Sequence, residues 1–199
     1  LFAQSHIDPA EGFTCRTHDP AEMEQLRLAD PQGWEDAMRL RDELEERALH
    51  GHFDRERSTY IIPVVFHIIH DNGPENISNE QVYDAIRVMN EDFNKLNPDW
   101  TSVRPAFLDI VADVGIEFRL AQLDPQGNCT NGITRTVSDL TYVGDYDMAG
   151  LIQWPRNRYM NIWVGASASG AAGYTNYPWV LNNQPQEDGI VVKHDYVGS

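Results

Sequence analysis

The sequence has no apolar run approaching the roughly 18 residues that a membrane-spanning helix needs. Its longest apolar stretch, Tyr60 to Ile69, is bounded by charge and turn residues and reads as core. Basic residues are scarce: 15 Lys and Arg stand against 31 Asp and Glu, a formal net charge of −16 over 199 residues. A surface of that sign repels phosphate, which excludes a nucleic-acid groove or an anionic membrane surface as the working partner. Two cysteines, Cys15 and Cys129, are too few for a disulfide framework. Also missing are G-x-S-x-G, a phosphate-cradling glycine loop, C-x-x-C and H-E-x-x-H, so no complete active site of these kinds is written here. The opening Leu1-Phe2-Ala3 has no basic n-region and no long h-region, so it is read as the product of processing rather than as a signal peptide.

What is present suffices for one domain with an appendage, since 41% of the residues are hydrophobic. The first 57 residues hold 14 acidic and 7 basic side chains and no strand-like segment. Asp19-Pro20 and Asp30-Pro31 both read as helix starts, a capping carboxylate followed by proline at the first helical position. Beyond the second, Trp34, Ala37, Met38, Arg41, Leu44 and Ala48 recur at three- and four-residue spacings, a narrow apolar seam on a charged helix. His50-Gly51 ends it. The charged stretch from His52 to Ser58 has no packing pattern and reads as an exposed linker open to proteases.

Tyr60 to His70 is nearly continuous in β-branched and aromatic residues, which suits a strand covered on both faces. After the break at Asp71-Asn72-Gly73-Pro74, Ser78 and Gln81 form a capping box and Ile77 and Val82 a staple. Val82, Ala85, Ile86, Met89, Phe93 and Leu96 then make the buried stripe of a helix that Asn97-Pro98 should stop. Strands are expected at Ile116 to Ala121, Tyr159 to Val164, Ala171 to Thr175 and Gly189 to His194. The fold class is therefore α/β or α+β, with a twisted, mixed, five-stranded sheet and a backing helix.

Individual chemical candidates are few. His67 and His70 lie three apart, which in a strand means opposite faces and no shared metal. His18, His50, His52 and His194 show no ligand spacing. Asp139, Asp145 and Asp147 are candidates for calcium ligands, against the plainer reading of a solvated acidic loop. Cys15, in Phe13-Thr14-Cys15-Arg16-Thr17, has three open fates: zinc ligand, a bridge to Cys129, or an inert thiol. Asp19 is the fallback ligand.

The order of segments carries a further signal. Tyr60 to His70, then Ile77-Ser78-Asn79-Glu80-Gln81, Met89-Asn90-Glu91-Asp92-Phe93, Gly127 to Arg135, Met160 to Val164, Gly173-Tyr174-Thr175 and Asp188 to Val192 together resemble the N-terminal half of a pappalysin-family metalloprotease, of the ulilysin and mirolysin type within the metzincins. The resemblance covers residues 58 to 199, an upper subdomain that ends before the zinc-binding helix, and gives residues 1 to 57 the place of a helical prosegment. It implies a secreted, Arg-preferring zinc endopeptidase acting on protein or peptide substrates. The family's H-E-x-x-H-x-x-G-x-x-H stretch is absent from this sequence, so the zinc ligands and general-base glutamate are expected on a C-terminal fragment as partner. Also implied are a peptide-holding edge strand at Ala172, Gly173, Tyr174 and Thr175, latency through Cys15 as a cysteine switch on the zinc, and activation by cleavage at Arg57-Ser58 or at Arg55. The competing reading is a non-catalytic α/β module that binds an extended peptide along its sheet edge.

Overall fold

The computed structural model describes residues 20–50 and 59–198, which fall into two compact units. One holds helices α1 (Pro20–Ala29) and α2 (Pro31–His50) together with Tyr177–Pro185, a segment the sequence leaves with the second domain. Asp30 sits at the junction of the two helices, and its Oδ1 accepts from the Gly33 N–H at 2.9 Å, the cap expected of an Asp-Pro start. The seam of α2 is covered only near its beginning. Trp34, Ala37 and Met38 are half-buried, whereas Arg41 and Leu44 are exposed, Leu44 by 52%.

The second unit is a mixed sheet of six strands, one more than expected. They are β1 (Tyr60–His70), β2 (Ile116–Leu120), β3 (Ile133–Val137), β4 (Met160–Gly165), β5 (Gly173–Thr175) and β6 (Ile190–Lys193). The order is β2-β1-β4-β6-β5, all parallel except β5, which runs antiparallel to β6. The additional strand is β3. It pairs with Phe66–His70 of β1, while β2 pairs with Tyr60–Val64, so two short strands share one edge of β1 end to end. Between them the chain steps out, held by the Ala121 N–H on the Val64 carbonyl (2.8 Å) and the Phe66 N–H on the Gly132 carbonyl (2.9 Å). On its other edge β1 pairs with β4 only from Val64 on, so Pro63, which has no N–H, lies just outside that ladder.

Alternation along β1 builds two cores. Val64, Phe66 and Ile68 face helix α3 (Asn79–Phe93) and pack with Ile77, Val82, Ala85, Phe118, Ile162 and Val164. Ile69 joins Trp163, Val191 and the short helix α4 (Tyr146–Ala149) on the opposite face. Both faces of β1 are covered from Val64 onward, as its continuous apolar run requires.

Helix α3 starts where its cap predicts, with Ser78 Oγ accepting from the Gln81 N–H at 3.2 Å. The Gln81 side chain does not return to close the box. Its Nε2 donates instead to the carbonyls of His194 and Val197, at 3.2 and 2.6 Å, tying the helix to the chain after β6. The helix also stops earlier than its stripe suggests, at Phe93, and Leu96 is 71% exposed. Asn90 and Asn94 explain this. Asn90 exchanges hydrogen bonds with the Phe118 backbone (2.8 and 2.9 Å), and Asn94 Nδ2 donates to the Ile116 and Asn90 carbonyls at 2.9 and 2.8 Å, anchoring the helix end to β2.

Candidate functional site: a pinned edge strand

Strand β5 ends the sheet, and its geometry follows from one hydrogen bond. The Lys193 N–H donates to the Ala172 carbonyl at 2.9 Å, with Gly173 opposite Val192 and Tyr174 opposite Val191. In an antiparallel pair, residues alternate between exchanging bonds with the partner strand and turning them away. Tyr174 is therefore the bonded residue, and the N–H and C=O groups of Gly173 and Thr175 point away from the sheet. Both of those residues are exposed. Glycine is needed at 173, because a Cβ there would come within 2.9 Å of the Val191 carbonyl oxygen.

The segment leading into β5, rich in small residues, is held at several points. Ser167 and Ser169 donate backbone N–H groups to the Thr141 and Val143 carbonyls at 3.0 and 3.1 Å, and Ala168 and Ala171 close a tight turn at 2.9 Å. Ser169 and Gly170 occupy that turn with φ of 51° and 79°. Thr141 is buried, donates its hydroxyl to the Ile69 carbonyl at 2.8 Å and accepts from the Ala166 N–H at 2.9 Å. The Gly144 carbonyl receives the Tyr174 hydroxyl at 2.9 Å and the Ser169 hydroxyl at 3.2 Å. Thr175 Oγ1 donates to the Gly189 carbonyl at 2.7 Å. This edge is pre-organised rather than loose, which lowers the entropy lost when a second strand adds to it.

Two phenols lie under the edge. Tyr146 and Tyr174 meet edge to face at 5.3 Å between ring centres. Burial raises the Tyr174 hydroxyl above its usual range; its bond to Ser169 opposes this, and the charges of Asp145 and Glu187 add to it. Burial raises Tyr146 too, with Tyr174 and Glu187 adding to it. Both stay neutral at physiological pH; Tyr174 donates its hydroxyl to Gly144, whereas the buried Tyr146 hydroxyl has no hydrogen-bond partner among the described residues.

His67 and His70 are committed elsewhere. His67 is fully buried between Thr134 and Asn161. The Asn161 amide is oriented by Trp154, whose N–H donates to Oδ1 at 2.9 Å and whose carbonyl accepts from Nδ2 at 3.0 Å. His67 Nε2 must then carry the proton and donate to Asn161 Oδ1 (2.9 Å), leaving Nδ1 to accept from the Thr134 hydroxyl (2.7 Å). Burial lowers its pKa to about 4, against the opposing bond to Asn161, so the ring is neutral. His70 lies on the other face of β1, with Nδ1 accepting from the Asn72 N–H at 3.2 Å. Beside it Glu75 is buried. Burial pushes its carboxyl up, but the backbone N–H groups of Asp71, Glu75 itself and Gly73, with nearby His194, outweigh that and hold it below the usual range.

Among the described residues, no three His, Cys, Asp or Glu side chains are placed to hold a metal ion. The His67 nitrogens are both engaged, so the described residues do not fit a zinc site. Asp139, Asp145 and Asp147 are no such group; Asp145 Oδ1 instead caps α4 by accepting from the Asp147 and Met148 N–H groups at 3.1 and 3.2 Å. Among the described residues, Cys129 is exposed and has no disulfide partner. Cys15, Asp19, Arg55, Arg57 and Ser58 lie outside the described residues. The structure thus brings Ala172, Gly173, Tyr174 and Thr175 together as one edge. It adds Tyr146, Gly144 and Thr141, whose support of that edge has no signal in the local sequence.

No protein-family model and no curated protein matches the chain. Solved structures do. Mirolysin in complex with compound 9 is 38% identical, the match covering 71% of this chain and 55% of that one with a TM-score of 0.63. Mature mirolysin of Tannerella forsythia in complex with a cleaved peptide is 36% identical over the same shares, also at 0.63. A point mutant of Tannerella forsythia promirolysin is 34% identical over 88% of this chain and 58% of that one, at 0.69. The chain spans a little over half the length of the mirolysin chains it matches. An identity of 34 to 38% over 71 to 88% of this chain, with TM-scores of 0.63 to 0.69, makes it a mirolysin-like member of the pappalysin-family metzincins, a family of metalloproteases.

Proposed function

We propose that this chain supplies the substrate-holding edge and the latency segment of a secreted, mirolysin-like zinc endopeptidase. The observation that carries the reading is β5, a pinned terminal strand that offers the backbone groups of Gly173 and Thr175 to an extended peptide. A peptide in that position adds as a further strand, and the exposed backbone of β5 fixes its direction and register before any bond is broken. The mirolysin complex with a cleaved peptide supports a peptide as the ligand. The metal-binding segment, with its histidines and glutamate, belongs to a C-terminal partner segment; bound zinc would there activate water and polarise the scissile carbonyl. No step of that chemistry is assigned to residues of this chain.

Residues 1–57 are proposed as the prosegment. Support comes from the larger share of this chain matched by promirolysin than by mature mirolysin, 88% against 71%. In this reading Cys15 occupies the open zinc position of the latent form, cleavage at Arg57-Ser58 or Arg55 is the first step of activation, and the preference for arginine follows the family.

The edge is tested in the protein that carries its metal-binding segment. Thr175→Pro removes one outward N–H and leaves the Tyr174 pairing with Val191 intact. It should raise KM for an extended peptide roughly two- to tenfold, the worth of one net hydrogen bond. Thr175→Val loses only the hydroxyl bond to Gly189 and should stay near the parent. Equal losses in the two variants would remove the peptide from this edge.

A further inference from the structure

Within the helical unit, Tyr177–Pro185 is gripped by the two leading helices. The Trp34 ring of α2 meets Trp179 edge to face at 5.8 Å, and Trp179 stacks on Tyr177 with centroids 4.4 Å apart and planes 11° from parallel. Asp30, which caps α2 through Oδ1, uses its other oxygen to accept from Asn183 Nδ2 at 2.7 Å. One carboxylate therefore fixes both the helix start and the segment lying against it. In sequence this segment joins β5 to β6, and it packs with the helices.

The clasp carries one defect. Among the described residues, Trp179 Nε1 is buried and has no hydrogen-bond partner. An unpaired donor loses its water on burial and gains nothing in return, so it weakens the contact that its ring creates. The arrangement is aromatic and complementary, yet held short of full strength.

We propose that Tyr177–Pro185 is the docking surface for helices α1 and α2, and that this aromatic clasp keeps them bound after the chain is cut between His50 and Thr59. Severing the backbone there would not by itself free the helical piece. Release depends on parting Trp34 from Trp179, and the face of Pro178 and Trp179 is opened only when that happens. This inference does not rest on peptide binding at β5, and its test reads association rather than activity.

The test places a site for a sequence-specific protease within residues 51–58 of the full chain, cuts it, and follows the helical piece by gel filtration. The piece is expected to co-elute with the remainder. Trp34→Ala should release it, and Trp179→Phe, which keeps an aromatic ring in the clasp and drops the unpaired donor, should slow its release roughly three- to tenfold. A piece that separates at once from the parent protein overturns the proposal, as does retention in Trp34→Ala or unchanged release in Trp179→Phe. Hydrogen exchange on the uncut chain gives an independent reading. The amides of Val180, Asn183 and Gln184, bonded to the Tyr177 and Val180 carbonyls, should exchange faster in Trp34→Ala while those of β4 do not; equal protection would count against the clasp.

Discussion

Lowering the pH should destabilise the sheet unit through His67. The ring is neutral in the folded protein, with a pKa lowered from 6.5 to about 4 by burial. Between those two values the unfolded chain binds a proton that the folded chain refuses. Stability from this group is therefore complete above pH 6.5 and lost as pH falls toward 4. At pH 5 the unfolded imidazole is almost wholly protonated and the folded one about a tenth so. Linkage then gives a loss of about 2 kcal/mol relative to pH 8, and about 3.4 kcal/mol once pH is well below 4. Against a total stability on the order of 5–15 kcal/mol, that shift is large enough to measure. Urea unfolding at pH 8 and pH 5 of the parent and of His67→Gln isolates it, because the amide can still donate to Asn161 but does not titrate. The parent should lose about 2 kcal/mol more than the variant. Equal losses would show that His67 is not held neutral by burial, and the assigned proton on Nε2 would fall with it.

Two further perturbations follow from the same unit. Asn161→Ala strips partners from His67 Nε2 and from the N–H and carbonyl of Trp154, all buried. The cost should be about 3–5 kcal/mol in chemical denaturation, and a loss below 1 kcal/mol would mean that water replaces the amide. Gly144→Ala places a Cβ against the Ser167 carbonyl at a backbone φ of 69°. It should lower Tm by several degrees and loosen the turn at Ala168–Ala171, read as faster exchange of the Ala171 amide.

How much of this was legible beforehand depends on where each signal resides. The apolar run of β1 declares a doubly covered strand by itself, and Ser78 marks a helix start within four residues. Asp30-Pro31 does the same for α2. These are local effects, set by neighbours in sequence. Strand β3 was not anticipated because Ile133-Thr134-Arg135-Thr136-Val137 is only partly buried and pairs with half of one neighbour. Its β-branched residues at 133, 134, 136 and 137 were the available signal. The early end of α3 was hidden because Asn90 and Asn94 break the apolar stripe only through partners on β2, more than 20 residues away. Likewise His67 reads as an isolated polar residue until Asn161, 94 positions later, is placed beside it. At the candidate site, the edge position of β5 followed from the family resemblance, whereas the hydroxyl and carbonyl contacts that pin it come from residues 141 to 144 and could not be read from its own sequence.

The excursion between β2 and β3 has a practical consequence. Leu123 bridges Cys129, and Asp124 gathers the N–H groups of Gln126 and Asn128 at 2.9 and 2.8 Å, so the loop is closed on itself. Its two feet are clamped to β1 independently of whatever lies between them. Extra residues, a fluorophore or a small folded insert placed at Gln126-Gly127 would ride on a handle whose other ties, the Arg158 guanidinium on the Pro125 carbonyl and the Tyr159 hydroxyl on the Leu123 carbonyl, lie outside β1. The pairing of the central strand would not need to change to accommodate them, which makes this the natural attachment point for tagging the protein.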